Sequence, residues 1–494
     1  MTQSFLGRRG MAVAPHSLAA ESAVAVLREG GNAIEAMIAA AATIAVVYPH
    51  MNSIGGDAFW VMRGPNGVAG GIDASGPSAA AASLSAYQAR GIRGAIPFRG
   101  GDAALTVAGT VGGWGLAHRV AASVGGRLPL SRLLSDAIWY ADQGIPVTAS
   151  QSLSTAEKLD ELRELTGFAQ TFLIDGAPPA IGELFRQPRL AASLRRIAMH
   201  GTQDFYRGEL ARSNALELEA LGSPLRFDDL AAYEARLVNP LLTSVRGATL
   251  RNMQPPSQGV VSMMILGIMD RVLRRYPKAI GGPTSPSFVH LQVEATKLAF
   301  KVRDQHLTDP GFMAISAQAL LDDQRLEGLA AEVRLDRAAP WGARSDPADT
   351  VWMGVIDESG MAISFIQSIY HEFGSGLVLP TSGVNWQNRG CGFSLDPAHI
   401  NRLEPRKRPF HTLNAGLAEL DDGTTMVYGT MGGDGQPQTQ ATVFTRIHHF
   451  GQAPQDAIEA PRWLLGRTWG NASDTLKLES RFPPDLVAAL GDMG

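Results

Sequence analysis

The chain has 494 residues, 45% of them apolar and 18% charged, with a formal net charge of -4. That length exceeds one ordinary core, and that balance describes a soluble globular protein of two domains or one large layered domain, with no general attraction for nucleic acid. The one cysteine, Cys391, excludes an intramolecular disulfide framework and a thiolate cluster for zinc or iron–sulfur.

The opening Met1 to Gly10 has no apolar stretch after its charges, so no secretory signal is read there and a cytoplasmic location is expected. Ser17 and Asn32 look like helix N-caps, the second with Glu35 three residues on as a capping box, and Gly30-Gly31 ends the helix between them. Ala33 to Val47 is apolar on every face and predicts a helix buried on all sides. The tract Ala36 to Tyr48, bracketed by Glu35 and Pro49, is shorter than the roughly 20 residues needed to span a bilayer, so no membrane is expected as a partner. Asp57 to Met62 and Gly67 to Ile72 read as two strands around the turn Gly64-Pro65-Asn66-Gly67.

From Leu128 to about residue 330 the pattern is mostly helical, clearest at Leu133 to Tyr140, Leu190 to Met199, Val260 to Leu273 and Phe288 to Val302. Arg337 to Asp349, rich in Pro, Gly and Ala, predicts an exposed linker that tolerates a chain break. Then Val351 to Asp357 and Met361 to Gln367 form a hairpin pattern about Glu358-Ser359-Gly360, with Thr350 at the exposed tip of its first strand. If the chain is cut just before Thr350, one residue gains both a nucleophilic hydroxyl and a free α-amine to serve as its base. A plain strand start fits the same residues. Strands flanking a helical centre give an α+β layered sandwich.

Gly429-Thr430-Met431-Gly432-Gly433-Asp434-Gly435 follows the strand Thr425 to Tyr428 and lacks both the Lys-Ser/Thr ending of a phosphate loop and the dinucleotide fingerprint. It is either a tight turn or a loop whose N–H groups point at a developing oxyanion. His371-Glu372 is followed by Ser375 rather than a second histidine, and His448-His449, as neighbours on one strand, would face opposite sides, so no metal is expected. No Gly-x-Ser-x-Gly elbow occurs. Arg406-Lys407-Arg408, with Arg402 nearby and stiffened by Pro405 and Pro409, is either a solvated loop or a carboxylate-binding one, and Arg389 is of the same kind.

In order along the chain, Gly10 to Ala14, Glu29 to Ala33, Asn52-Ser53-Ile54-Gly55-Gly56-Asp57-Ala58-Phe59, Gly109 to Trp114, Gln254-Pro255-Pro256-Ser257-Gln258-Gly259, Glu294 to Phe300, Asp349-Thr350, Phe373 to Gly376, Lys407-Arg408-Pro409 and Met431-Gly432-Gly433 resemble the γ-glutamyltransferase family of N-terminal nucleophile hydrolases. The resemblance implies a proenzyme that cuts itself between Asp349 and Thr350. It would give a large fragment, 1–349, and a small one, 350–494, which stay associated in a four-layer αββα sandwich whose two sheets draw on both; a homodimer is compatible with it. It carries the nucleophile onto Thr350, a supporting hydroxyl onto Ser368 and the oxyanion-hole glycines onto Gly432 and Gly433, with no cofactor. It also implies glycine-rich final strands that the sequence ending at Gly494 does not include, so the small fragment is either truncated or naturally short there.

Where γ-glutamyl-specific members carry an arginine for the α-carboxylate, this chain reads Asp73-Ala74-Ser75-Gly76-Pro77. Their ammonium-binding asparagine, glutamine and aspartate fall on Tyr370, Arg389 and Gly392, and their paired serines on His411 and Thr412. A pocket of Arg389, His411, Thr412 and Tyr370 holds no carboxylate for an ammonium and favours a small anionic amide as the substrate. The pattern resembles the divergent branch that includes oxamate amidohydrolase. A glutathione hydrolase or γ-glutamyltransferase, and an uncleaved protein that binds without catalysis, are the competing readings.

Overall fold

The computed structural model describes residues 4–342, 349–466 and 474–494. Residues 343–348 of the expected linker therefore lie outside the described residues. The strands are β1 (Gly10–Val13), β2 (Asp57–Arg63), β3 (Ala69–Ala74), β4 (Ile145–Pro146), β5 (Leu184–Phe185), β6 (Arg236–Val238), β7 (Leu241–Val245), β8 (Ala248–Asn252), β9 (Asp349–Asp357), β10 (Ala362–Tyr370), β11 (Gly416–Leu420), β12 (Thr425–Tyr428), β13 (Trp463–Leu465) and β14 (Leu476–Leu478). They fall into two compact units, one of Arg9–Val238 and Asp349–Phe410, the other of Met1–Arg8, Asn239–Ala348 and His411–Gly494. The units do not coincide with the two expected fragments, because each takes chain from both sides of Asp349-Thr350.

The first unit holds a six-stranded antiparallel sheet in the order β1-β9-β10-β2-β3-β6. Its core forms where Val351, Met353 and Val355 of β9 and Ile363 and Phe365 of β10 meet the Ala33–Val47 helix, all of whose residues are buried. The expected capping box starts that helix: Asn32 Oδ1 accepts from Glu35 N at 3.0 Å, and Glu35 Oε2 accepts from Asn32 N at 2.9 Å. The Ser17–Arg28 helix before it is capped by His16 instead of Ser17, since His16 Nδ1 accepts from Leu18 N at 3.2 Å and an unprotonated ring nitrogen serves as an Asx oxygen would. The turn at Gly64 to Gly67 is closed by Gly64 N to Val68 O at 2.9 Å, which delays the second strand to Ala69.

The second unit holds the four-stranded antiparallel sheet β12-β11-β8-β7, with the long Gly259–Arg275 and Pro286–His306 helices. β6, β7 and β8 interrupt the region read as mostly helical; they are short strands broken by Pro240 and a turn at Gly247, so neither period runs long enough to show in the sequence. His448 closes the Gly435–His448 helix and His449 follows as its C-cap, so the expected strand there is a helix end. Each sheet takes strands from both sides of Asp349-Thr350, as the resemblance implies. No helix among the described residues is long and apolar enough to cross a membrane, and no group of three metal-ligating side chains occurs among them.

Candidate active site

Thr350 is the second residue of β9 and is fully buried, where an exposed strand tip was expected. Alternation fixes its direction: Val351, Met353 and Val355 enter the core, so Thr350 and Trp352 lie on the opposite face of the sheet. Ser364 and Ser368 of β10 share that face, as the bond from Trp352 Nε1 to Ser364 Oγ at 3.0 Å shows.

The ladder then breaks at the site. Gln367 pairs with Val351 and Tyr370 with Asp349, which leaves Ser368 and Ile369 together opposite Thr350 in a β-bulge. Ser368 Oγ accepts from Tyr370 N at 2.8 Å and closes the bulge. Tyr370 is driven to φ +83°, a left-handed conformation costing a side-chain-bearing residue about 1–2 kcal/mol. Its ring offsets part of that cost, because the Arg389 guanidinium sits 3.9 Å from the ring centroid in a cation–π contact.

Asn388 fixes the Arg389 segment to the bulge: its N–H donates to Ile369 O at 3.2 Å, its Oδ1 accepts from His371 N at 3.1 Å, and its Nδ2 donates to Phe98 O at 2.8 Å. Arg389 is buried, and burial pulls its guanidinium below the ordinary value against the opposing pull of Tyr370, Asp57 and Cys391. A Cβ on Gly392 would lie 3.9 Å from the Tyr370 hydroxyl, so Tyr370, Arg389 and Gly392 form one cluster.

Asp57, not singled out from the sequence as a site residue, lies opposite Ser368 across the β2–β10 pair and is fully buried. Its Oδ1 accepts from Gly109 N at 2.9 Å and Gly76 N at 3.1 Å. Burial pushes its carboxyl up to about 7, against the pull of Gly109, Arg389, Gln387 and Gly76. The backbone approaches so closely here that a Cβ on Gly76 would meet Val107 O at 1.6 Å. The signal available in the sequence was an acid directly after Gly55-Gly56 at the head of a strand with no neighbouring base.

The basic run divides, with Arg406 exposed as in a solvated loop and Lys407 and Arg408 buried. Arg408 pairs with Asp73, both nearly buried; Lys407 Nζ donates to Ile400 O at 2.7 Å and Arg402 O at 3.2 Å; Arg402 pairs with Glu404 at 2.7 Å. Lys407 and Arg408 are thus held by contacts within the unit, while the Arg402 pair lies at its surface.

In the second unit Gly432 (φ +104°) and Gly433 (φ +52°) turn the chain into the Gly435–His448 helix, with Gly435 N donating to Gly432 O at 2.8 Å and Gln436 N to Gly433 O at 3.1 Å. Asp434, the helix N-cap, is held by a buried ion pair with Arg303 at 2.9 Å. Gln258 ties this loop to His411 and Thr412. Its Nε2 donates to Gly433 O at 3.0 Å and Thr412 O at 2.8 Å, while its N–H donates to His411 O at 2.9 Å. The predicted residues thus assemble in two sets, Thr350, Ser368, Tyr370 and Arg389 in one unit and His411, Thr412, Gly432 and Gly433 in the other.

Comparison with known proteins gives the family and the fold. The sequence profile of the Gamma-glutamyltranspeptidase family matches residues 19–494. The oxamate amidohydrolase proenzyme of Klebsiella pneumoniae is 54% identical over 100% of this chain and 92% of its own length, and a glutathione hydrolase-like proenzyme of Bacillus subtilis is 39% identical over the same shares. The crystal structure of cephalosporin acylase from Bacillus halodurans superposes with a TM-score of 0.89 at 33% identity, covering 100% of this chain and 90% of that one. The chain belongs to the gamma-glutamyltranspeptidase family, and it is a hydrolase-type enzyme with the α+β fold of the N-terminal nucleophile hydrolases.

Proposed function

We propose that this enzyme cuts its own Asp349–Thr350 peptide, giving fragments 1–349 and 350–494, and then hydrolyses a small carboxylate-bearing amide of the oxamate kind through an acyl ester on Thr350. The observation that carries the substrate is the buried Arg389 guanidinium, stacked on Tyr370 and fixed by Asn388 to the bulge opposite Thr350. A fixed cation beside the nucleophile suits a carboxylate next to the scissile carbonyl. The 54% identity to the Klebsiella oxamate amidohydrolase proenzyme supports the same reading.

Once freed, the Thr350 α-amine, with an ordinary pKa of about 7.7–8.0, takes the Oγ proton as the oxygen attacks the amide carbon. The N–H groups of Gly432 and Gly433 hold the tetrahedral oxyanion. The C–N bond breaks, the α-ammonium returns its proton to the leaving nitrogen, and ammonia departs. Water, deprotonated by the same amine, then attacks the ester and releases the dicarboxylate and free Thr350.

The test compares kcat/KM for oxamate and glutathione in the wild type and in Arg389→Ala. Oxamate should be preferred, and the alanine variant should lose about 1.5–3 kcal/mol toward oxamate, the value of one charge-assisted hydrogen bond, while a neutral amide loses much less. Preference for glutathione, or equal losses on neutral and anionic amides, would return the γ-glutamyl reading.

A further inference from the structure

Asp57 and Arg389 place a carboxyl and a guanidinium in one buried setting. β2 brings Asp57 opposite Ser368, and the segment carrying Arg389 runs beside β2's entry: Gly55 bridges Trp386, Gln387 N donates to Gly55 O at 3.0 Å, and Gln387 Nε2 donates to Val107 O at 2.9 Å. Gln387 and Arg389 both act on the Asp57 charge. From the geometry we propose that binding of the anionic substrate is coupled to uptake of one proton by Asp57, which makes Asp57 the residue that admits carboxylate-bearing amides. This deepens the oxamate reading and rests on it.

The argument is a charge balance. With Asp57 ionised, Arg389 already faces a compensating carboxylate, and a substrate carboxylate arriving at the guanidinium leaves one uncompensated negative charge in a site closed to water. Such a charge is costly there, and the group nearest to relieving it takes a proton. The other titratable groups facing this place do not serve. Tyr206 donates its hydroxyl to Ala108 O and Tyr233 donates to Gly109 O; burial raises both far above neutrality, so they stay protonated. Asp73 of β3 is paired with Arg408, and Arg236 of β6 acts on Tyr233. His371, pushed down to about 3 by burial and by Arg99, Arg389 and Lys158, stays neutral, and Cys391 is the thiol beside Arg389. Asp57, by contrast, ionises near neutrality. In the free enzyme it exchanges its proton near pH 7, and a neighbouring anion extends the protonated form to higher pH.

The consequence is a KM for oxamate that is flat below about pH 7 and rises above it by up to about tenfold per pH unit. Titration of the Thr350 amine acts on kcat in the opposite sense, so KM is the quantity to follow. KM for a neutral amide of the same size, propionamide, should not follow this rise. Asp57→Asn keeps an acceptor for the Gly76 and Gly109 N–H groups and cannot ionise; its KM for oxamate should be flat from pH 6.5 to 8.5 and lie near the wild-type acid value. A rise preserved in Asp57→Asn, or absent from the wild type, overturns the coupling, whereas an enzyme that does not turn over oxamate at all overturns the substrate reading instead. Should the variant not fold, wild-type enzyme mixed with oxamate in weakly buffered indicator at pH 7, where the Thr350 α-amine is already largely protonated, should take up about half a proton per site in the binding phase. Hydrolysis to oxalate and ammonium is proton-neutral at that pH and does not mask it. No uptake overturns the proposal.

Discussion

Thr350 meets two residues of β10 where a regular ladder would give it one, and the hydroxyl of the first of them, Ser368, accepts from Tyr370 N. The bulge therefore sets the position of Thr350 and the backbone conformation of the residue that carries Arg389's aromatic platform. Thr350→Ala removes the attacking oxygen, and the chain should remain one uncleaved, inactive band on a denaturing gel. Thr350→Ser keeps an Oγ and should show partial conversion to bands of roughly 37 and 15 kDa, by share of the 52.5 kDa chain on each side of the Asp349–Thr350 peptide. Thr350 stands out in the sequence because the proposed chemistry needs a hydroxyl residue after a breakable linker. The burial of Thr350 and the bulge were not, since both depend on pairing across the sheet. Asp57 was hidden for the same reason: what makes it notable is its complete burial and the arrival of Arg389 from more than three hundred residues away.

At the scale of elements, the Gln254 to Gly259 motif acquires a use that its residue types do not announce. The Gln258 carboxamide bridges the carbonyls of Thr412 and Gly433, so one side chain sets the spacing between the His411-Thr412 segment and the glycine turn. Gln258→Ala leaves two buried carbonyls short of a donor and should cost about 1–3 kcal/mol in thermal or denaturant unfolding, with kcat falling more than KM rises as the turn loses its anchor. Gln258→Glu, which offers no NH₂ group, should behave similarly; wild-type kcat in both variants would deny the clasp a role. The elements that could be read in advance carried their own local signals: the Asn32–Glu35 box, the all-apolar Ala33–Val47 run, and the hairpin turn whose Gly360 sits at φ +84°. β7 and β8 did not, and neither did the Gly435–His448 helix. Gln-Pro-Gln-Thr-Gln opens that helix with polar side chains that are buried through tertiary hydrogen bonds, such as Gln438 to Leu465 O at 3.0 Å and Gln440 to Asn414 O at 2.8 Å.

Across the whole molecule, β9 and β10 are central to one sheet and β11 belongs to the other, so cutting at Asp349–Thr350 leaves both sheets held by hydrogen bonds between the fragments. The folded state also has a defined acid limit. His50 is fully buried against Tyr48 and Phe373, and burial pushes its ring down to about 3 from an ordinary 6.5. A value lowered by folding means that the unfolded chain binds the proton first, so this contribution to stability is complete above about 6.5 and is lost as pH falls toward 3. The slope is about 1.4 kcal/mol per pH unit across that window. Thermal unfolding followed between pH 7 and 4 should show it, and His50→Phe should lower the slope by one proton's worth; an unchanged slope would place the acid sensitivity elsewhere. The Ala33–Val47 helix bears on the same question from another side. With all fifteen residues buried, its amides meet solvent only when the unit around them opens. Their deuterium exchange is therefore a clock for cooperative opening of that unit, and it can be read in the wild type and in Thr350→Ala without any substrate present.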